Sequence, residues 1–504
     1  MNALTTELSL FRIRLERWQW LAALALGIAL AVLPPLLVAV GLAGIAVGVA
    51  VLTQPLVGIV LALFLGPLGG WEGVFIGGPI AAVTTGQLMI FLTIACWLAR
   101  NLVRGRFPIP NTFFNVSLTV WAILGAASLW GSREPIEGIK EMLKWIEVLF
   151  VIWIVLDLTR KWPRRQVIWW SVAILLSAGL VQAFWGINQF AIRGTGVGHF
   201  IIFGRFYRAL GAFMQPNPYG GYITLNLCLA IGVFAGLFAH FWRQLPEEQR
   251  DWVNVLRRSP VTLLVGVSAA ILLFALIGSW SRGSWLNFIA ALGVFTLFLP
   301  KDRRRGFTFV AVGLTAFFLA WNLGLIPAPI RERLFGFLET FQFKPASTIA
   351  MTPENYSVVE RIAHWEAAIS MAQENLWFGV GIGNYAAAYP DHLVPGWFEP
   401  LGHAHNIYLN VFAEMGFIGV LGYALIWLPT FWLTFDLTRK LDWPMRGIPL
   451  GLLAGYAGLS VHHMLDNIYV KNNLIYIGAT FALLILLKWE SEDVSEASAQ
   501  SQGN

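Results

Sequence analysis

Long apolar runs separated by short polar breaks repeat along the whole chain. A helix crosses a bilayer with about 20 mostly apolar residues, and with about 17 at the least. Read this way, the chain predicts helices at 20–34, 36–52, 55–68, 81–99, 113–130, 142–158, 167–190, 218–240, 260–279, 284–300, 307–324, 405–436, 447–465 and 473–488. The expected fold is all-α, a polytopic transmembrane helical bundle of about 12–14 spans. The lower figure applies if two of the first three short windows pair as a hairpin that does not cross.

Lys and Arg fall in every second polar break: 11–17, 100–106, 159–165, 241–258, 301–305 and 438–446. The positive-inside rule makes these breaks cytoplasmic, so both termini lie inside and the span number is even. The loops 191–217, 280–283, 325–404 and 466–472 then lie on the opposite, extracytoplasmic face. The first twenty residues run into apolar sequence with no small-residue cleavage site, so no cleavable signal peptide is expected. The polar tail 491–504 reads as disordered and cytoplasmic.

Composition agrees with this picture. Hydrophobic residues make up 57% and charged residues 12%, against roughly 25% charged in soluble domains. The 24 Trp suit many membrane–water interfaces. Topology accounts for the net charge of +6 better than nucleic acid does, and no nucleic-acid partner is expected. Cys96 and Cys228 lie in separate apolar windows, which leaves neither a disulfide framework nor a Cys metal site.

Loop 325–404 is long enough to require structure or function of its own. Within it, 357–375 reads as an amphipathic helix on the outer membrane surface. Ser357 and Glu360 stand at capping-box spacing, and Ile362, Trp365, Ile369 and Ala372 form one face. The glycines of "GVGIGN" (379–384) follow no strand and precede no Lys-Ser/Thr, so they form no nucleotide loop.

Basic residues on the outer face contradict the charge rule and need a reason. Arg331, Arg333 and Lys344 fit tolerated charge balanced by nearby acids. Arg282 in "GSWSRGSWL", and Arg205 and Arg208 in "GRFYRALGAFMQPNPYGGY", have no acid nearby in sequence. They are either lipid-phosphate anchors or parts of a guanidinium cradle for a phosphorylated, lipid-borne ligand. Arg361, beside Glu360, is either a surface ion pair or a member of that cradle. His405 opens a helix, where it either packs as a cap or serves as a general base. His403, His462, His463 and Asp466 share its face, and Asn406 is placed to hold His405 or the ligand. A zinc site on His403 and His405 lacks a carboxylate or Cys at ligand spacing, and Glu414 reads as structural.

His405-Asn406, nine residues, Gly416, two residues, Gly419 resembles a signature of the O-antigen ligase superfamily. Arg282-x3-Leu286 resembles its companion motif. "RALGAFMQPNPYGGY" (208–222), "ERIAHWEAAISMAQENLWFGVGIGNY" (360–385) and "VHHMLDN" (461–467) are similar to further family segments. Residues 1–190 match only as apolar spans, which divides the chain into N-terminal helices (1–190), a ligase-like membrane region (191–490) and the tail (491–504). The resemblance implies a glycosyltransferase of the bacterial plasma (inner) membrane, with its active site on the periplasmic face. It implies transfer from an undecaprenyl-diphosphate-linked glycan donor to a lipid- or envelope-borne glycan acceptor, with inversion and without cofactor or metal. In that scheme His405 is the base on the acceptor hydroxyl, and Arg282, Arg208 and Arg361 bind the diphosphate. Arg205, Asn406, His403, His463 and Asp466 complete the substrate site. Three alternatives stay open: a polysaccharide polymerase of the same family, a transporter, and a non-catalytic lipid-binding scaffold. Against transport, the spans carry few mid-membrane carboxylates.

Overall fold

The computed structural model describes residues 34–69, 84–194, 198–340, 344–352 and 355–502, together with Leu24. Helices fill the apolar windows from 36 onward. They are α1 (Pro35–Thr53), α2 (Pro55–Leu65), α3 (Thr85–Val103), α4 (Phe113–Ser128), α5 (Pro135–Asp157), α6 (Arg164–Ile187) and α7 (Pro216–Gln244). After a short α8 (Trp252–Arg258) come α9 (Pro260–Gly278), α10 (Arg282–Phe298) and α11 (Arg303–Asn322). The long loop 325–404 contributes α12 (Ala328–Thr340), α13 (Tyr356–Glu374) and α14 (Tyr385–His392). The chain closes with α15 (Ile407–Lys440), α16 (Gly447–His463) and α17 (Asn473–Gln502). A single hairpin, β1 (Ile201–Ile202) with β2 (Phe206–Tyr207), interrupts this all-α architecture among the described residues. The window at 20–34 lies outside the described residues except for Leu24 and Pro34.

Among the described residues, six stretches are long and apolar enough to cross a membrane. They lie in α3, in α6 with its continuation to Arg193, and in α7, α9, α15 and α17. Four shorter apolar stretches lie in α1, α2, α4 and α10. The chain is a multi-pass membrane protein. Charge keeps α5 and α11 out of this set: α5 opens on Glu137, Lys140, Glu141 and Lys144, and α11 on three arginines.

At the centre, α16 packs against both α7 and α10. Small residues permit the approach: a Cβ on Gly232 of α7 would meet the Gly447 carbonyl oxygen of α16 at 2.3 Å. Close backbone contact of this kind is how membrane helices associate without a hydrophobic driving force. It fixes the end of α16, from which His462, His463 and Asp466 project.

Three details differ from the sequence reading. First, α13 begins at Tyr356, so Ser357 lies inside the helix and does not cap it; its N-cap residue, Asn355, makes no side-chain cap. Second, the buried stripe of α13 is Val359, Ile362, Ala363, Ala367 and Met371, while Ile369 is exposed. Alanines bring this face against α15, and counting bulky residues missed it. Third, the tail expected to be disordered from 491 continues as helix to Gln502. There Glu490 pairs with Arg165 and Asp493 with Arg164.

Helix α15 is broken at Gly416, where φ is 59° and ψ is −154°. The four backbone groups freed by the break are taken by the loop after α13. Phe417 N–H donates to Leu376 O (2.8 Å) and Ile418 N–H to Trp377 O (3.3 Å). In the other direction, Val380 N–H donates to Ala413 O (3.0 Å) and Gly381 N–H to Glu414 O (2.8 Å). The glycines of "GVGIGN" thus serve a helix break. A Cβ on Gly416 would stand 2.4 Å from the Trp377 carbonyl carbon, in a backbone region open only to glycine. Gly416→Ala is expected to destabilise the protein by about 2 kcal/mol or more. The check is thermal unfolding in detergent, with Gly313→Ala, which meets no atom within 4 Å, as the neutral control.

Candidate active site

The first turns of α7, α10, α13 and α15 meet the segment that follows α16, and a closed ring of hydrogen bonds joins them. His405 Nδ1 lies 3.0 Å from Asp466 Oδ1. A carboxylate only accepts, so Nδ1 carries the proton and Nε2 keeps the lone pair. His405 Nε2 is buried and without a protein partner. Asn217 of α7 donates from Nδ2 to Asp466 Oδ2 (2.7 Å) and accepts at Oδ1 from Ser281 Oγ (2.7 Å). Ser281 caps α10, whose first residue is Arg282. Arg282 Nη2 donates to Ser357 Oγ of α13 (2.7 Å). Arg361, one turn later, donates from Nη1 to the Ser357 carbonyl and from Nε to Leu465 O (2.9 Å), which returns the ring to Asp466.

A second pair of guanidiniums lies beside the ring. Arg208 donates from Nε to Ser279 O (2.9 Å) and from Nη2 to Trp280 O (3.1 Å). Arg333 of α12 donates to the same Trp280 oxygen from Nε (3.2 Å) and Nη2 (2.9 Å). Trp280 holds a left-handed φ of 50°. Burial, then the charges of Arg333, Arg282 and Arg361, push the Arg208 pKa down to about 9. Burial, then Arg282 and Arg361, push Arg333 down to about 10. Among the described residues none of Arg208, Arg282, Arg333 and Arg361 forms an ion pair with a carboxylate. The arrangement presents several N–H donors and unneutralised positive charge, which suits a multiply charged anion.

His405 holds a left-handed φ of 51°, the kind of backbone strain that collects at functional sites. Its N–H donates to His403 Nδ1 (3.1 Å), and the two rings meet edge-on at 4.5 Å. The ring of His364 stands 5.8 Å from that of His405. Burial, then the charge of His405, pushes both His403 and His364 down to about 4. Burial raises the Asp466 pKa, but the hydrogen bond and charge of His405, with His403 and Arg361, hold it well below the usual carboxylate range.

The structure therefore brings together His405, Asp466, His403, Arg282, Arg361 and Arg208. It places the other expected residues elsewhere. Arg205 is exposed in the β-hairpin turn, over the Phe206 ring at 5.3 Å, as an interfacial anchor would be. Asn406 is spent on structure: Oδ1 caps α15 through Tyr408 N and Leu409 N, and Nδ2 donates to Met464 O (3.1 Å). His463 is buried against the Tyr469 ring at 4.5 Å. Glu414 accepts from Tyr385 N (3.2 Å), the structural part expected of it. Arg333, read as balanced surface charge, joins the cluster instead, while its neighbour Glu332 is exposed. Asn217 and Ser281 went unread because nothing about them is out of place in sequence, and Ser357 was read only as a helix cap. The carboxylate missing from the sequence-level zinc reading is Asp466: one donor atom each from His403, His405 and Asp466 lie within 4.8 Å of one another. Of these, only His405 Nδ1 and Asp466 Oδ1 already bond each other, and His403 Nε2 stands 4.0 Å from Asp466 Oδ1.

Residues 267–424 match the family described as O-Antigen ligase, which places this region in the O-antigen ligase/polymerase superfamily. The match spans Arg282 to Gly419 and so includes Arg333, Arg361, His403 and His405. Arg208, Asn217 and Asp466 lie outside it. No curated protein matches the chain.

Proposed function

With residues 267–424 carrying an O-antigen ligase domain, we propose that the protein transfers a glycan from an undecaprenyl-diphosphate carrier to an acceptor hydroxyl. The single observation that supports this best is the ring joining the His405–Asp466 pair to Arg282 and Arg361. Membrane glycosyl transfer from a lipid-linked glycan is what the family implies in general. The ligase reaction, its donor and its stereochemistry belong to the proposal, as does placement of the site on the outer face of a bacterial inner membrane with both termini inside.

In this mechanism His405 Nε2 takes the proton of the acceptor hydroxyl as its oxygen bonds to C1 of the donor sugar. Asp466 holds the imidazole in the required tautomer and stabilises the imidazolium that forms. The bond from C1 to the diphosphate oxygen breaks, and the electron pair leaves with the diphosphate. Arg282, Arg361, Arg208 and Arg333, each partly buried, meet that charge with preorganised N–H donors. Attack opposite the leaving group inverts the anomeric centre.

The test uses purified protein in liposomes with an undecaprenyl-diphosphate glycan and a panel of acceptors. The expected result is glycan transfer matched one for one by release of lipid diphosphate. An acceptor that is itself the carrier-linked glycan would identify a polymerase, and a distinct glycolipid a ligase. Failure of the donor to bind would sink the transferase reading, and flux across sealed vesicles would then be measured.

The donor atoms of His403, His405 and Asp466 carry a further expectation. EDTA should leave the rate unchanged, whereas micromolar Zn²⁺ should inhibit by engaging these groups. Loss of activity in EDTA that a divalent ion restores would instead assign the three residues to a required metal.

A further inference from the structure

A cavity of about 730 Å³ lies beside the His405–Asp466 pair. His403 and Asn467 form part of its wall, each next to a member of the ring, whereas none of the four clustered arginines lines it. Neither His405 nor Asp466 lines the chamber itself; His405 adjoins it through His403, to whose Nδ1 its N–H donates.

Trp121, Trp145 and Tyr469 supply buried aromatic surface, which stacks on the apolar faces of sugar rings. Lys140 and Lys144 are neutralised within α5 by Glu137 and Glu141. Three charged groups are not, and of these Glu414 accepts from Tyr385 N–H. Glu147 is 3% exposed, and its Oε1 has no hydrogen-bond partner. Lys471 forms no ion pair among the described residues and sits on left-handed backbone with φ of 53°, followed by Asn472 at 60°. Asn472 secures this turn by donating to Thr84 Oγ1 (2.7 Å) and Gly66 O (3.2 Å). An unpartnered buried carboxylate oxygen costs free energy unless something donates to it. A half-buried ammonium held on strained backbone likewise calls for an anion.

We propose that this cavity is the acceptor subsite and that it selects a glycan bearing an anionic group. Lys471 binds the phosphate or carboxylate, and Glu147 accepts from a sugar hydroxyl. The assignment rests on the transferase reading above, and its test keeps the two separable.

Saturation-transfer NMR on the protein in nanodiscs would use glucose 6-phosphate, glucuronate and methyl glucoside as probes. The two anionic sugars are expected to bind about tenfold more tightly than the neutral one, the scale of one charge-assisted bond. Lys471→Met should erase that difference and Lys471→Arg should keep it, while Glu147→Gln should weaken all three sugars. A response to glucose 6-phosphate without one to glucuronate would narrow the anion to phosphate. Binding of the undecaprenyl-diphosphate donor, measured on the same samples, should be unchanged in Lys471→Met and reduced in Arg282→Ala. Equal binding of charged and neutral sugars, no sugar binding, or an unaffected Lys471→Met would overturn the proposal and leave the donor site standing. A wild-type protein that binds anionic sugars but no donor would overturn the transferase reading, and the acceptor assignment with it.

Discussion

Replacing His405 with alanine should lower glycan transfer by about 10³-fold, within the range general base catalysis supplies, while the donor binds as before. The two effects separate because donor affinity resides in the arginines, none of which bonds the imidazole. Asp466→Asn should also slow transfer, for a different reason. Asp466 accepts on both oxygens: from His405 Nδ1 and Asn467 N–H at Oδ1, and from Asn217 Nδ2 at Oδ2. An amide can accept at only one end, so one of its N–H groups must face a donor. Either Asn217 loses its contact or His405 loses the tautomer that frees Nε2. Single-turnover rates and donor binding, measured on variants that elute as folded protein, check both substitutions. A binding scaffold would show no change in either, and a His405→Ala protein that still transfers would remove the base from the mechanism.

Arg282→Ala should cost about 10²–10³-fold in rate, the usual consequence of losing one donor aimed at developing charge. Unlike His405→Ala, it should also weaken donor binding. Arg282→Lys should recover little, because a point ammonium cannot both reach Ser357 Oγ and fork onto phosphate oxygens. Arg331→Ala is the comparison: Arg331 is exposed and lies over the Trp321 ring at 5.7 Å. A surface change of that kind stays within about twofold. Equal effects at Arg282 and Arg331 would mean that bulk charge, and not a cradle, draws the donor.

The sequence disclosed what was locally anomalous. Apolar windows stood out against their polar breaks, and the helices followed. Arg282 and Arg208 stood out as charges with no acid nearby, and His405 as an imidazole at a helix start. Residues whose importance depends on a distant partner stayed silent. Asn217 is an ordinary loop residue until Asp466 and Ser281 arrive from 249 and 64 positions away. Arg333 looked balanced by Glu332, yet the helix turns them in different directions. Ser357 was read through its local spacing to Glu360, but its hydroxyl answers to Arg282, 75 positions back. The α13 face was misjudged for a related reason: close helix contact selects alanine, and a hydropathy count gives alanine little weight.

The break at Gly416 bears on how the bilayer acts on this protein. Lipid thickness sets the tilt of a spanning helix, and an unbroken α15 would pass each change of tilt to the residue at its end. Here the segment from Ile407 to Met415 shares its hydrogen bonds with residues 376–381, and the helix resumes only at Phe417. Residues 376–381 thus bracket the break, accepting from Phe417 and Ile418 on one side and donating to Ala413 and Glu414 on the other. A change of tilt beyond Phe417 is therefore expected to be taken up at the break before it reaches the His405–Asp466 pair.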